Sequence, residues 1–328
     1  MDFILPFQVL ACTQKIDYQS SVYLTGSCFT EHISNYFKRN KFSVKENSHG
    51  ILFNPISVCD ALCEVIEKKE YVEGDLFFMN EYWHSWNHHS DFSDLDKFLT
   101  LKKINNYIES HHQFLKNCSH LIITFGSAFA YYLTEQNRYV SNNHRAPHQW
   151  FRKDLLSGEQ ISDAIEKMRK MMHDFNPNCQ IIFTISPVRH IRDGVVDNNR
   201  SKARLIDAVH SIEGVYYFPA YELVVDVLRD YRFYDVDMVH PNYMATRYVW
   251  EKFVEACVHP DCSVMMQQME DVYKAFHHKP KDARSKAHQF FLKEYANKVK
   301  LLKEAMPHLD FREEETHFSK GENAANSD

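Results

Sequence analysis

The sequence lacks the features that mark several large classes of protein. Its 38 lysines and arginines are outnumbered by 44 aspartates and glutamates, which leaves a formal net charge of -6. Proteins that bind the phosphate backbone carry an excess of positive charge, so we expect no nucleic-acid partner. No stretch approaches the roughly twenty consecutive apolar residues that a helix needs to cross a bilayer, so we expect no membrane span.

The eight cysteines lack the spacing of a metal or disulfide framework. They are scattered along the chain without a single Cys-x-x-Cys pair, which is typical of free thiols in a reducing compartment. The segment from Met1 to Pro6 has no basic residues followed by a long apolar run, as a secretory signal would have. Together these absences predict a cytoplasmic protein, whose oligomeric state the sequence leaves unknown.

The chain does contain an alternation of strand-like and helix-like segments, with 44% apolar residues to fill a core. This order predicts an α/β domain with a mostly parallel sheet. The predicted strands cover residues 22–24, 121–125, 180–186 and 215–218. Predicted helices cover residues 30–39, 161–175, 201–212 and 221–228, followed by 243–257, 264–276 and 282–306.

Changes in this pattern predict three parts of the chain. Residues 1–258 form the main domain, residues 259–309 a helical C-terminal extension, and residues 310–328 a disordered tail of low hydrophobicity. Aromatic residues at 71–92, interrupted by glycine, asparagine and histidines, predict an inserted β-hairpin or an aromatic lid loop. In parallel sheets the ligand crevice lies beyond the carboxyl ends of the strands, and the motifs below follow strands or lie in loops.

A candidate nucleophile lies in the segment Gly26-Ser27-Cys28-Phe29, between a predicted strand and a predicted helix. The free N–H groups at a helix start favour developing negative charge, as an oxyanion hole requires. Two other interpretations stay open. One is that Ser27 is a simple helix cap, and the other is that Cys28 is the nucleophile, although the apolar Phe29 beside it favours packing of Cys28 in the core.

A candidate base lies about two hundred residues later, in the segment Asp237-Met238-Val239-His240. A spacing of three lets both polar side chains face one cleft, and Pro241 restricts the backbone after the histidine. An imidazole that removes a serine proton works best when a carboxylate orients it. The alternative is a chance pair in a surface loop, because the chain has twenty histidines.

Together these motifs resemble the GSCFA-domain family, a bacterial branch of the SGNH (GDSL-like) hydrolase superfamily. The name-giving motif is the segment from Gly26 onwards, and the resemblance spans about residues 20 to 310. The resemblance implies a three-layer α/β/α SGNH fold in which Ser27 attacks, His240 serves as base and then acid, and Asp237 orients His240. The other stretches that agree are 49–55, 124–128, 143–144, 184–190, 217–222 and 228–241.

The chain departs from the wider superfamily at two motifs. The usual Gly-Asp-Ser is replaced by Thr25-Gly26-Ser27, and the usual Gly-x-Asn-Asp begins at Gly126 without its asparagine. Losing one oxyanion donor typically costs about 3 kcal/mol of transition-state stabilisation, so an active enzyme needs a substitute. We expect it among four groups: the backbone N–H of Ser27, the backbone N–H of Gly126, and the side chains of Asn54 and Ser127. Asn54 is the first choice, with a turn role before Pro55 as its alternative.

Further polar residues are predicted to bind substrate. Trp83 and His84 lie in the aromatic insertion and suit stacking against a sugar, and His144 belongs to the family pattern. Arg189 and His190 follow a predicted strand, where an arginine recognises carboxylate or phosphate groups. A salt bridge from Arg189 to an acidic residue such as Asp193 is an equal alternative for that side chain.

A histidine-rich segment is the one metal-like cluster in the sequence. It contains His84, His88, His89 and Asp91, but the spacing is irregular and no fourth ligand is apparent. We therefore expect no metal site and no cofactor.

The predicted function is a serine hydrolase that cleaves ester (O-acyl) bonds through an acyl-enzyme, for example a carbohydrate O-acetyl or acyl esterase. Its expected partner is a small-molecule or glycan ester. One alternative is an acyltransferase that uses the same triad. Another is a non-catalytic glycan- or peptide-binding module, favoured by the missing asparagine and by Trp83 and Trp86. A third alternative is that the C-terminal helices supply an interaction surface, and the sequence leaves it open.

Overall fold

Apolar runs bounded by turn residues produce the strands of the protein. The computed structural model describes residues 5–319. In that part of the chain the strands are β1 (Ser21–Gly26), β2 (Ser43–Glu46), β3 (Phe77–Met79), β4 (Tyr82–His84), β5 (His120–Phe125), β6 (Phe129–Leu133), β7 (Arg138–Val140), β8 (Phe151–Leu155), β9 (Gln180–Ile185) and β10 (Tyr216–Phe218).

Amphipathic segments form the helices between and after these strands. They are α1 (Cys28–Arg39), α2 (Pro55–Ile66), α3 (Lys97–Asn117), α4 (Gly158–Phe175), α5 (Val195–His210), α6 (Ala220–Glu222), α7 (Tyr243–Cys257), α8 (Ser263–Phe276), α9 (Lys286–Ala305) and α10 (Arg312–Phe318). Helix α6 continues as a π-helix over Leu223–Leu228.

The central sheet is parallel and has the strand order β10-β9-β5-β1-β2. Gly26 at the end of β1 pairs with Thr124 of β5, and Thr124 pairs with Thr184 of β9. The carboxyl ends of three neighbouring strands therefore meet at one edge, and the loops that follow them share that edge. This confirms the predicted α/β fold with a mostly parallel sheet.

Helices cover both faces of the sheet, which explains why its strands are apolar on both sides. Val22 and Leu24 of β1 pack into a cluster with α1 and α7. Tyr23, which lies between them, points to the other face and packs into a cluster with α2, α4 and α5. The result is three layers, helix on sheet on helix, with two separate cores.

Two smaller sheets flank this core. Strands β3 and β4 form an antiparallel hairpin inside the segment 71–92, where the sequence predicted a hairpin or lid loop. Strands β7, β6 and β8 form a three-stranded antiparallel sheet that the sequence analysis did not predict. The hairpin is anchored rather than free, because Phe77 stacks on the buried Trp86 with ring centroids 3.6 Å apart.

The C-terminal helices pack against the α1 face of the domain. The predicted disordered tail from residue 310 is wrong for α10, because Phe311 and Phe318 are buried in the same cluster as Val299 of α9. The last nine residues of that predicted tail, 320–328, lie outside the described part of the chain. Among the described helices, none combines the length and apolarity needed to span a bilayer.

Candidate active site

The turn from β1 into α1 accepts only glycine before Ser27. Gly26 has φ +132°, a backbone conformation that residues with a side chain rarely adopt. A Cβ atom there would also lie 2.1 Å from the carbonyl oxygen of Thr124, well inside van der Waals contact. The N–H of Ser27 donates to that same oxygen at 3.1 Å. The close approach of β1 and β5 thus sets the position of Ser27.

The hydroxyl of Ser27 is buried and unbonded. Ser27 occupies the N-cap position of α1, yet its side chain makes no capping hydrogen bond. Its Oγ has no hydrogen-bond partner among residues 5–319, and the residue has no solvent exposure. Buried polar groups without partners are costly and rare, so a helix-capping role does not account for this serine.

Cys28 has the opposite character to an activated thiolate. Its thiol is largely enclosed, and burial raises the pKa of Cys28 above its ordinary value, with the charge of Glu31 adding to the effect. Lys202 opposes this rise without cancelling it. Reactive cysteines at helix N-termini have lowered pKa values instead, so this environment favours Ser27 over Cys28 as the nucleophile.

Asp237 and His240 form a well-defined hydrogen-bonded pair. His240 Nδ1 lies 2.6 Å from Asp237 Oδ2, and Asp237 Oδ1 accepts from the backbone N–H groups of Val239 and His240 at 2.9 and 3.0 Å. These bonds, of which the one from the His240 N–H contributes most, lower the pKa of Asp237 to about 2. The carboxylate therefore stays ionised at neutral pH and holds the imidazole with Nε2 available.

The turn that carries this pair is tied to the edge of the sheet where Ser27 lies. The N–H of Arg189, which follows β9, donates to Val239 O at 3.2 Å. His240 lies close enough to His32 in α1 and to His190 to contribute to the lowered pKa of each, after burial for His32 and after burial and Lys202 for His190. Ser27 and the Asp237–His240 pair therefore belong to one edge of the sheet. No hydrogen bond joins Ser27 Oγ to His240 in the described structure.

The two backbone groups predicted to hold an oxyanion already have partners. The N–H of Ser27 donates to Thr124 O, and the N–H of Gly126 donates to Phe53 O at 2.8 Å. Neither N–H points at an open acceptor position in this conformation.

The two predicted side chains are also engaged. Asn54 caps helix α2: its Oδ1 accepts from the N–H of Ser57, and its Nδ2 donates to Ser57 Oγ, both at 2.9 Å. Ser127 Oγ accepts from the N–H of Phe129 at 3.1 Å and lies 3.3 Å from Ser201 Oγ. In both cases the bonds satisfy local backbone and side-chain groups.

His190 lies beside Ser27 and is in a different state. A Cβ placed on Gly126 would be 3.1 Å from Ser27 Cβ and 3.2 Å from His190 Nε2. That Nε2 atom is buried and has no hydrogen-bond partner among the described residues. The ring packs edge-on against Phe53, with centroids 5.3 Å apart. Burial, and then the charge of Lys202, lower the pKa of His190 to about 3, so its imidazole is neutral at neutral pH.

Lys202 is a site residue that the sequence analysis missed. It is fully buried in α5, and its Nζ donates to Gly126 O at 2.7 Å and to Ser186 O at 2.6 Å. No carboxylate of residues 5–319 pairs with it, and burial lowers the pKa of Lys202 to about 7. A signal was present in the sequence, because Lys202 falls on the same face of α5 as the buried Leu205 and Val209.

Three of the predicted substrate-binding residues lie in the hairpin β3–β4 or pack beside it. His84 and His144 lie with ring centroids 4.5 Å apart, and burial lowers the pKa of both, that of His144 to about 4. Their ring nitrogens bond Ser93 Oγ and the carbonyl oxygen of Ser85. Lys97 Nζ lies 4.7 Å from the ring centre of Trp83.

Arg189 binds aromatic side chains rather than an acidic one. Its guanidinium donates to the hydroxyl of Tyr231 at 3.0 Å and lies 4.5 Å from the ring centre of Tyr234. Asp193, the alternative partner considered above, pairs with Lys153 instead. The side chain of Arg189 therefore links the segment after β9 to Tyr231 and Tyr234, and its backbone N–H links the same segment to the turn of Asp237.

Comparison with known proteins follows the same division of the chain. The model of the GSCFA family matches residues 21–253, and the model of the GSCFA domain protein, C-terminal domain, matches residues 269–324. No curated protein sequence matches the chain.

Solved structures give a distant likeness. A carbohydrate esterase of family 3 from Talaromyces cellulolyticus is 9% identical, over 77% of this chain and 99% of that one, with a TM-score of 0.35. An acetyl xylan esterase from the rumen bacterium Butyrivibrio proteoclasticus is 10% identical, over 73% of this chain and 64% of that one, with a TM-score of 0.36. At these values the likeness carries no argument about activity.

Proposed function

The chain belongs to the GSCFA family, and from that premise we propose that it is a serine hydrolase of the SGNH type that cleaves O-acyl esters. The observation that carries the proposal is the joint position of an unbonded serine hydroxyl and an oriented imidazole at one edge of the sheet. Ser27 Oγ has no partner among residues 5–319, and His240 is held by Asp237 at 2.6 Å. We propose a small-molecule or glycan ester as the substrate and no cofactor.

In the proposed reaction His240 first takes the hydroxyl proton of Ser27. Oγ attacks the ester carbonyl carbon, and the electron pair of the C=O bond moves to oxygen. When the tetrahedral intermediate collapses, the bond to the alcohol oxygen breaks and His240 returns its proton to the leaving alcohol. Water then attacks the acyl-enzyme by the same route and releases the acid. Asp237 keeps the imidazole in the required orientation throughout.

This reaction requires Ser27 and His240 to approach more closely than in the described conformation. A general base acts at a heavy-atom distance of roughly 2.6 to 3.2 Å, and such contacts are often longer before substrate binds. Because Ser27 Oγ has no competing hydrogen bond among residues 5–319, no internal bond has to break for this approach.

The test is covalent labelling combined with ester hydrolysis. The purified wild-type protein is expected to release p-nitrophenol from p-nitrophenyl acetate and to be labelled by a fluorophosphonate probe at Ser27. S27A is expected to lose both, and C28A, its neighbour and matched control, to keep both. Full turnover in S27A together with loss in C28A overturns the assignment. Added acceptor alcohols and product analysis separate hydrolysis from acyl transfer.

One observation favours a second candidate function. Ser27 has no solvent exposure, and the four predicted oxyanion groups all have internal partners, as expected if the fold retained a binding role without catalysis. In that case we propose a glycan- or peptide-binding module. Absence of fluorophosphonate labelling, together with saturable binding of an immobilised glycan, supports the module over the enzyme.

A further inference from the structure

Two buried polar atoms without partners flank the same glycine. Ser27 Oγ and His190 Nε2 both lack a hydrogen bond within residues 5–319. Ser27 Cβ and His190 Nε2 lie 3.1 and 3.2 Å from one point, the position of a Cβ on Gly126. Ser27 Cβ and His190 Nε2 are therefore no farther apart than the sum of these distances, and Ser27 Oγ is one bond from that Cβ. Burial of two unpaired polar atoms so close together indicates a shared binding role, since stability alone disfavours both.

We propose that His190 donates the hydrogen bond from Nε2–H that stabilises the oxyanion formed on Ser27, in place of the asparagine amide that the chain lacks. This inference rests on the proposed function and names a further catalytic residue for the same reaction. It differs from the sequence prediction, which assigned the oxyanion to Ser27, Gly126, Asn54 or Ser127.

The geometry suits a donor to the oxyanion. In a tetrahedral adduct the oxyanion lies two bonds beyond Ser27 Oγ, and the space beside Gly126 is within that reach because Ser27 Cβ borders it. An effective donor must lie roughly 2.7 to 3.1 Å from that oxygen. His190 Nε2 is on the border of that space and is unbonded, whereas the N–H of Gly126 already donates to Phe53 O.

The charges around His190 keep it in the form that the role needs. Burial contributes most to its lowered pKa of about 3, and four neighbouring basic side chains add to the effect: Lys202, His240, Arg192 and Lys153. At neutral pH the imidazole therefore carries one proton. The role requires that proton on Nε2, and because an imidazole that resists protonation is a poor base, His190 does not compete with His240 for the proton of Ser27.

The two histidines have separate roles, and every proton in the reaction has a defined donor and acceptor. His240 takes the proton of Ser27 Oγ and later gives it to the leaving alcohol. The Nε2–H bond of His190 stays intact, and only its hydrogen bond to the oxygen strengthens as the C=O electron pair moves onto that oxygen. The buried ammonium of Lys202, bonded to Gly126 O, adds positive charge on the same side of the glycine.

The test compares H190A, H190Q and the matched control H173Q, which changes an exposed histidine of α4. The measurements are kcat and KM for p-nitrophenyl acetate and the thermal unfolding temperature. H190A is expected to lower kcat about 10²–10³-fold with KM little changed, as for removal of one oxyanion donor. H190Q, whose amide donates without acting as a base, is expected to recover at least about tenfold of that loss. H173Q is expected to match the wild type.

Each result decides the proposal. If H190Q is as inactive as H190A while both fold as the wild type does, a hydrogen bond donated by residue 190 does not support turnover, and the proposal is overturned. Turnover in H190A equal to the wild type overturns it as well. If H190A does not fold, H190Q and H190N decide by the same comparison. Wild-type protein without Ser27-dependent turnover removes the proposed function itself, a result distinct from loss of the His190 role alone.

Discussion

Two polar clusters of this fold, a partly buried one around Glu64 and a buried one around Gly126, have opposite hydrogen-bond states. In the Glu64 cluster, both carboxylate oxygens are fully used: Oε1 accepts from Lys69 and Asn87, and Oε2 accepts from His49 and Tyr71 at 2.8 and 2.7 Å. Around Gly126, by contrast, Ser27 Oγ and His190 Nε2 have no partner in the described chain. A satisfied network stabilises a fold, whereas unpaired groups are available to bind something else.

The buried charges of the two clusters differ in the same way. Burial opposes ionisation of Glu64, but hydrogen bonds and charges from His49 and Lys69 outweigh it and hold the pKa of Glu64 well below its ordinary range. Lys202 has no carboxylate partner among residues 5–319, and burial alone moves its pKa down to about 7. The first charge is compensated by its neighbours, and the second is held only by two carbonyl oxygens.

The largest expected effect comes from replacing the carboxylate at the site. D237N keeps the shape of the side chain but removes the charge that orients His240, so kcat for ester hydrolysis is expected to fall about 10³–10⁴-fold. The Asp237 side chain is about half exposed, so solvent screening limits its contribution to stability and we expect the urea midpoint of unfolding to fall only slightly. Steady-state kinetics and urea unfolding on the same preparations check both statements. Retention of full kcat would remove Asp237 from the mechanism.

The same chemical change in the Glu64 cluster is expected to give the opposite result. E64Q puts an amide among four donors, so the free energy of unfolding at pH 7 is expected to fall by about 3 kcal/mol, with kcat within about twofold of the wild type. Because the pKa of Glu64 is lowered on folding, its stabilisation is complete above the unfolded pKa of about 4.3 and is lost as pH falls further.

The stability difference between wild type and E64Q is therefore expected to shrink below about pH 4. Urea unfolding at pH 7, 5 and 3.5 measures it. A difference that is constant over this range, or a loss of kcat as large as that of D237N, contradicts the contrast between the two clusters.

The last prediction is a pH dependence of stability, and it tests the uncompensated lysine. The pKa of Lys202 is lowered from 10.5 to about 7, so between these values the unfolded chain binds more protons than the folded chain. The free energy of unfolding therefore rises with pH in that window, by up to about 1.4 kcal/mol per pH unit from this group. K202M has no titrating group there and is expected to lose that part of the slope. Equal slopes in both proteins from pH 7 to 9.5 would show that Lys202 stays fully protonated in the fold.

The sequence predicts most of the central sheet and the polar groups at its edge. Strands such as His120–Phe125 are buried on both faces and read as continuous apolar runs, and Gly26 marks the turn that a side chain would block. These signals come from neighbouring residues in the sequence, so they can be recognised without knowledge of tertiary contacts. The order of Ser27, Asp237 and His240 is equally visible.

Other features depend on contacts between distant residues. Helix α10 is polar at first sight, and only burial of Phe318 against the core makes it ordered. The Asn54 side chain is bonded within its helix cap, which composition cannot distinguish from a site role. Lys202 is charged, and its burial depends on two carbonyls that come from the loops after β5 and β9.

Enclosure of Ser27 also limits the rate of any reaction at its Oγ atom. The residue has no solvent-exposed surface, and Phe53 and His190 border the same space beside Gly126. A reagent reaches Ser27 only when the side chains that enclose it move apart. Its apparent affinity is therefore reduced in proportion to the fraction of molecules in that open state. Among inhibitors of equal intrinsic reactivity, those with narrow acyl groups are therefore expected to modify Ser27 faster than those with bulky acyl groups.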